Sequence, residues 1–316
     1  MKGPVVAVVG PTAAGKTALS LALARALRAP GGTGATGAEV VNADSMQLYR
    51  GMDIGTAKLP PSQRQEVPHH LLDVWEVRQT ASVAVYQRLA RAAVDDILAR
   101  GRLPLLVGGS GLYLRAVLDR LEFPGTDPAL RAELEAELAR RGPGPLHQRL
   151  RAVDPAAAAA ILPGNGRRIV RALEVITLTG QPFHAQLPSG PRPAYRAVWL
   201  AVDRDSGELD RRIVTRVDRM WADGLVDEVR GLVDRGLREG RTARTALGYQ
   251  QVLGYLSGEI SEAAAYAGTV RATRRFVRRQ RSWFRRDPRP VWLDGARPDL
   301  VDAALAAVRP RLAAGA

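Results

Sequence analysis

Residues Gly10-Pro11-Thr12-Ala13-Ala14-Gly15-Lys16-Thr17 follow the apolar run Val5–Val9 and lead into a helix-like stretch. They complete the pattern G-x-x-x-x-G-K-[ST] in the strand–loop–helix setting that a phosphate cradle requires. Each part has a chemical task. The glycines let backbone N–H groups curl around a polyphosphate, and the helix N-terminus adds positive potential. Lys16 sets an ammonium on the anion, and the Thr17 hydroxyl can hold Mg²⁺. A phosphate-bearing ligand follows; its identity does not.

The elements that must position this loop read as an α/β fold with a P-loop NTPase-like core. Strand-like runs are Val5–Val9, Glu39–Asn42, His70–Val74, Leu103–Val107, Ala197–Val202 and Val291–Leu293. Helical stretches lie among them at Ala18–Leu27, Val83–Arg100 and Asp210–Gly236. Such alternation predicts a mostly parallel sheet flanked by helices, with ligands outside the carboxyl ends of the strands. On that rim fall the phosphate loop, Asp44-Ser45-Met46-Gln47, Asp73 and Gly108-Gly109-Ser110-Gly111. The Gly/Ala/Thr-rich segment Pro30–Ala38 reads as a connection. From about Pro124 to Pro193 strand signals vanish, while Asp127-Pro128, Asp154-Pro155 and Asn165 open helices. The chain therefore divides into core residues 1–121, an all-helical insertion at 122–195, and core residues 196–316.

The 316 residues carry no cysteine, so disulfides, zinc-thiolate sites and thiol nucleophiles are excluded. His69, His70, His147 and His184 lack metal-ligand spacing. No apolar run reaches the length of a membrane span, and a cytoplasmic, monomeric protein without membrane contact is expected. The formal net charge of +14 points to a polyanionic partner, nucleic acid first. Only Lys2, Lys16 and Lys58 are lysines among 46 basic residues, a bias that GC-rich coding explains. Against that background Lys16 marks a position that wants a compact point charge, and Lys58 draws the same suspicion.

Two helices concentrate the arginines. In the third inserted helix Arg167, Arg168 and Arg171 share an arc of ~100°, opposite Ile169, Leu173 and Ile176. In Arg271–Arg286 eight arginines, Arg274 and Arg278 among them, occupy an arc of ~160° opposite Phe276, Val277, Trp283 and Phe284. Like charges so close repel unless a counter-anion joins them, and guanidinium forks suit phosphate oxygens.

Several blocks in order resemble the tRNA dimethylallyltransferase family. They are the phosphate loop, Asn42–Tyr49, Gly51–Lys58, Pro68–Asp73, Leu106–Tyr113, Arg171–Val175, Leu247–Tyr249 and the arginine-rich Ala272–Arg285. The resemblance implies transfer of a dimethylallyl group from dimethylallyl diphosphate to the exocyclic N6 of the adenosine 3′ of the tRNA anticodon, with Mg²⁺ assisting and diphosphate leaving. It implies that Gly10–Thr17 binds the diphosphate and that Asp44 is the general base. Ser110 and Arg216 would flank the diphosphate, with Arg212 the alternative to Arg216. The anticodon stem-loop would meet Asp44, Ser45, Met46, Gln47, Ser110, Arg131, Arg167, Arg168, Ile169, Val170, Arg171, Gly248, Tyr249, Arg274 and Arg278. The chemistry agrees: an exocyclic amine is a poor nucleophile, so a carboxylate taking its proton as the C–N bond forms assists. Two positions depart from the pattern. Ser110 stands where threonine is common, keeping the hydroxyl, and the neutral Gln250 stands where a basic residue is frequent. A P-loop small-molecule kinase, an isopentenyltransferase acting on AMP, and a non-catalytic RNA-binding protein are the competing readings. The first leaves the arginine face unexplained, the second the helical insertion, and the third an intact Lys16, Thr17 and Asp44.

Overall fold

A computed structural model of the chain describes residues 1–27, 37–64, 66–183 and 192–313. Most of the Pro30–Ala38 connection, and His184, fall outside them. The strands are β1 (Lys2–Val9), β2 (Ala38–Asn42), β3 (His69–His70), β4 (Leu103–Gly108), β5 (Tyr195–Asp203) and β6 (Val291–Asp294). They form one sheet in the order β3-β2-β4-β1-β5-β6, every pair parallel. The helices are α1 (Lys16–Ala26), α2 (Val83–Ala99), α3 (Gly111–Leu118), α4 (Pro128–Arg141), α5 (Pro143–Val153), α6 (Pro155–Ala160), α7 (Gly166–Thr179), α8 (Ser206–Ala222), α9 (Leu225–Asp234), α10 (Tyr249–Leu256), α11 (Glu262–Arg285) and α12 (Leu300–Ala313).

The near-continuous apolar run of β1 follows from its central place: Val5 to Val9 are fully buried, with helices over both faces. Val5, Ala7 and Val9 face a core shared with Tyr86, Leu114 and Leu225. Val6 and Val8 face one shared with Leu19, Ile213 and Val308. This is the alternation that a strand's two-residue period imposes.

Two compact units result. One comprises Met1–Arg120 with Pro193–Ala316, and the other Leu121–Arg192. The second has its own core, built on Leu134, Leu146, Leu150, Ile169 and Leu173. Among the described residues no helix is long and apolar enough to cross a membrane.

The structure corrects three element expectations. The third strand stops at His70, because Leu71 and Asp73 adopt positive φ (61° and 59°) and turn the chain away. The stretch Asp210–Gly236 is two helices, broken where Gly224 takes φ 94° in a left-handed cap. A further helix, α5, begins within Gly142-Pro143-Gly144-Pro145, where proline occupies the first turn rather than breaking it.

Candidate active site

The phosphate loop leaves β1 at Gly10 (φ 137°), passes Ala13 (φ 68°) and enters α1 at Gly15 (φ 109°). A Cβ at Gly10 would overlap the Val202 carbonyl of β5, so only glycine lets the loop start here. No side chain caps α1, which leaves its first-turn N–H groups to an anion. The loop carbonyls are tied back instead. Lys16 Nζ donates to Pro11 O at 2.7 Å, Arg212 Nε to Ala13 O at 2.8 Å, and Arg204 Nε to Ala14 O at 3.0 Å.

Asp44 is set by Asn42 at the end of β2. Asn42 Oδ1 accepts the Asp44 N–H at 2.9 Å, and its Nδ2 donates to Asp44 O and Leu71 O, both at 3.0 Å. Asp44 Oδ1 in turn accepts the Met46 N–H at 2.9 Å. Ser110 Oγ, at the start of α3, accepts the Ser45 N–H at 3.5 Å. Arg216 reaches across from α8 and donates to Thr56 O at 3.1 Å.

Asp44, Ser45, Ser110 and Arg216, with Thr12 of the phosphate loop, line a cavity of about 530 Å³. Thr12, Asp44, Ser45, Ser110 and Arg216 form polar wall, whereas Val217, Met220, Leu247, Phe276 and Trp283 form apolar wall. The charges act on each other. Burial holds the Lys16 ammonium down to about 8, with Asp44 opposing the drop and Arg216 adding to it. Burial also lowers the Arg216 pKa, and Asp44 again opposes. An anion beside both cations would relieve this. The arrangement suits loss of an anionic leaving group from an apolar fragment, next to a carboxylate that accepts a proton.

Thr17 is exposed on the first turn of α1. Among the described residues no three His, Cys, Asp or Glu side chains converge as a metal site. The Thr17 hydroxyl is a hard-oxygen donor that could hold a divalent cation.

Other expected contacts lie elsewhere. Ile169 and Val170 are 0% and 2% exposed within the helical unit, so their side chains cannot reach an RNA. Tyr249 is fully buried and donates its hydroxyl to Glu228 Oε1 at 2.5 Å, which makes it a core residue. Gly248 supplies a turn, with φ 87° ahead of α10. Gln47 donates to Thr56 O (3.2 Å) and Ala57 O (3.4 Å), holding that loop and lying outside the cavity lining. Arg131 and Arg171 both bind the buried Glu174, which also accepts from Thr126 Oγ1 at 2.5 Å. Burial would raise the Glu174 carboxyl, but hydrogen bonds from Arg131, Thr126 and Arg171 win and hold it at about 2. Arg167 and Arg168 remain exposed.

Lys58 is engaged by the protein itself. Its Nζ, almost wholly buried, donates to Asp53 (2.6 Å), Asp73 (2.6 Å) and Tyr49 O (2.8 Å). Three acceptors match the three protons of an ammonium, which explains a lysine in an arginine-rich chain. Along α11, Thr273, Val277, Gln280 and Phe284 are the buried face. On the apolar side of this helix Phe276 lines the cavity together with Arg279, and Trp283 both packs against the core and lines the cavity. Arg274 is half-buried 3.4 Å from Asp210, while Arg271, Arg275, Arg278, Arg285 and Arg286 are exposed. Sequence reasoning missed Gln280, Thr245–Leu247 and Arg279 as site residues; the one signal was Gln280, a neutral amide inside an arginine run.

The IPP transferase family model matches residues 47–287. A tRNA dimethylallyltransferase of Salinispora tropica is 71% identical over 308 residues, covering 98% of this chain and 93% of its own. One from Thermobifida fusca is 64% identical over 304 residues, covering 96% and 94%. Among solved structures, the full-length tRNA isopentenylpyrophosphate transferase of Bacillus halodurans matches with TM-score 0.70 and 39% identity, covering 98% of each chain. A eukaryotic dimethylallyltransferase acting on tRNA shares the fold, with TM-score 0.79 at 22% identity over 96% of this chain and 78% of that one. The chain belongs to the IPP transferase family, the family of the tRNA dimethylallyltransferases.

Proposed function

We propose that the cavity transfers a dimethylallyl group from its diphosphate to the exocyclic N6 of the adenosine 3′ of a tRNA anticodon. The observation that carries this reading is that Asp44 and Arg216 line one cavity with the apolar Val217, Met220, Leu247, Phe276 and Trp283, with Lys16 electrostatically coupled to both charged groups. The C–O bond to the diphosphate breaks as the bond to N6 forms, and the N6 proton passes to Asp44. Lys16, the α1 N–H groups and Arg216 meet the charge that grows on the departing diphosphate. Ser110 and Ser45 hold the acceptor side of the cavity. Thr17 is the residue that would hold Mg²⁺ here, and such an ion would add to the neutralisation of the leaving group.

The target base must leave its stack to reach Asp44. The exposed arginines of α11, with Arg279 at the cavity itself, supply phosphate contacts, and Arg167 and Arg168 offer two more on the helical unit. Arg131 and Arg171 support that surface through Glu174.

The test is incubation of the protein with tRNA, dimethylallyl diphosphate and Mg²⁺, followed by digestion and detection of prenylated adenosine. Parallel reactions with AMP as acceptor, and with ATP as phosphoryl donor, separate an AMP prenyltransferase and a kinase. Product with AMP and none with tRNA would refute the tRNA assignment.

A further inference from the structure

Gln280 is 6% exposed on α11, and both ends of its amide are engaged by loops of the site. Its Oε1 accepts the Thr12 N–H of the phosphate loop at 2.9 Å, and its Nε2 donates to Gly109 O at 3.0 Å. Each bond fixes the amide's orientation, because an N–H needs the oxygen and a carbonyl needs the nitrogen. The contact is close: a Cβ at Gly109 would overlap the Gln280 amide nitrogen. Gly109 precedes Ser110, whose hydroxyl accepts from Ser45, the neighbour of Asp44. The loop that would hold the leaving group and the turn that reaches the general base therefore meet at one side chain. Anchoring of α11 does not depend on it, since Val270, Val277 and Phe284 pack that helix into both cores.

We propose that Gln280 is a positioning residue for prenyl transfer: its amide spans Thr12 and Gly109 and so sets the distance between the phosphate loop and the Ser110–Asp44 side of the cavity. This rests on the functional reading above. Gln280 lies in the cavity lining, and the role proposed for it is exerted through the two loops it joins.

The test uses the full chain with Gln280→Met, which keeps bulk and removes both bonds, and Gln280→Glu, which keeps the acceptor and loses the donor. Single-turnover prenylation of tRNA should slow by roughly 10–100-fold in both, as expected when reacting groups are displaced by about an ångström. Affinity for tRNA and for dimethylallyl diphosphate should stay within about threefold, separating the rate of the step from binding. Protonation of the introduced carboxyl restores an O–H donor toward Gly109 O. The rate of Gln280→Glu relative to wild type should therefore climb as pH falls, while that of Gln280→Met should not. A Gln280→Met rate within about twofold of wild type overturns the proposal. So does a loss that merely tracks the unfolded fraction, with no pH difference between the variants. A wild-type protein that fails to prenylate tRNA refutes the functional reading instead.

Discussion

Lys16 offers a prediction with a sign and a size. Its ammonium is held down to about 8, chiefly by burial, with Asp44 and Arg216 pulling in opposite directions. A bound diphosphate favours the charged form, so binding is strongest where Lys16 is already protonated, below about 8. As pH rises past that value the anion must also recruit a proton, and affinity falls. Between pH 7 and pH 9 the protonated fraction drops ~10-fold for such a pKa, so the dissociation constant for inorganic diphosphate should rise ~10-fold. Calorimetric titration across this range, with Lys16→Met as the reference, removes the ligand's own titration. Wild type and Lys16→Met should converge as pH rises. The neighbours add a second check. Asp44→Asn removes the group that supports the ammonium and should move the fall to lower pH, whereas Arg216→Ala should move it higher. Parallel curves for wild type and Lys16→Met would refute the placement of Lys16 on the anion.

Asp44→Asn should cut single-turnover prenylation by about 10²–10⁴, the usual loss on removing a general base, with tRNA affinity little changed; near-normal turnover would end that assignment. Arg275→Ala combined with Arg278→Ala should flatten the slope of log tRNA affinity against log salt by roughly one unit, or somewhat less, per lost contact. Arg274 is left out of this test, because it sits half-buried near Asp210. Lys58→Met should destabilise the chain by about 1–2 kcal/mol in urea unfolding, a modest figure because Asp53 and Asp73 are 57% and 41% exposed and stay hydrated.

Local pattern carried much of this architecture. The phosphate loop, the parallel sheet and the rim of strand ends were legible because each depends on a few adjacent residues. Gly224 was the visible break in the long α8–α9 stretch, yet its apolar periodicity resumes beyond and hid the cap. The site residues that escaped notice depend on packing between distant segments. Tyr249 and Ile169 sit in blocks that resemble a nucleic-acid surface, but which face of a helix is buried is decided by its neighbours. The apolar side of α11 was legible, but not that Phe276 and Trp283 on it line the cavity, because an apolar face looks alike whether it meets a core or a cavity. Lys58 was singled out by its rarity, although its three acceptors come from positions 49, 53 and 73, which no spacing rule brings together.

The helical unit leaves the core after Arg120 and the chain returns at Pro193. There Asp119 and Pro193 form an antiparallel bridge, and the Ala194 N–H donates to Leu118 O at 2.8 Å. For the sheet, the whole insertion is thus a loop whose two ends already touch. Closure entropy grows only with the logarithm of loop length, so the core is nearly indifferent to what the insertion contains. Helices there can lengthen, shorten or be exchanged without shifting the register of a strand or the curl of the phosphate loop. The surface of that unit is free to drift, while the sheet and the phosphate loop keep a frame closed independently of it.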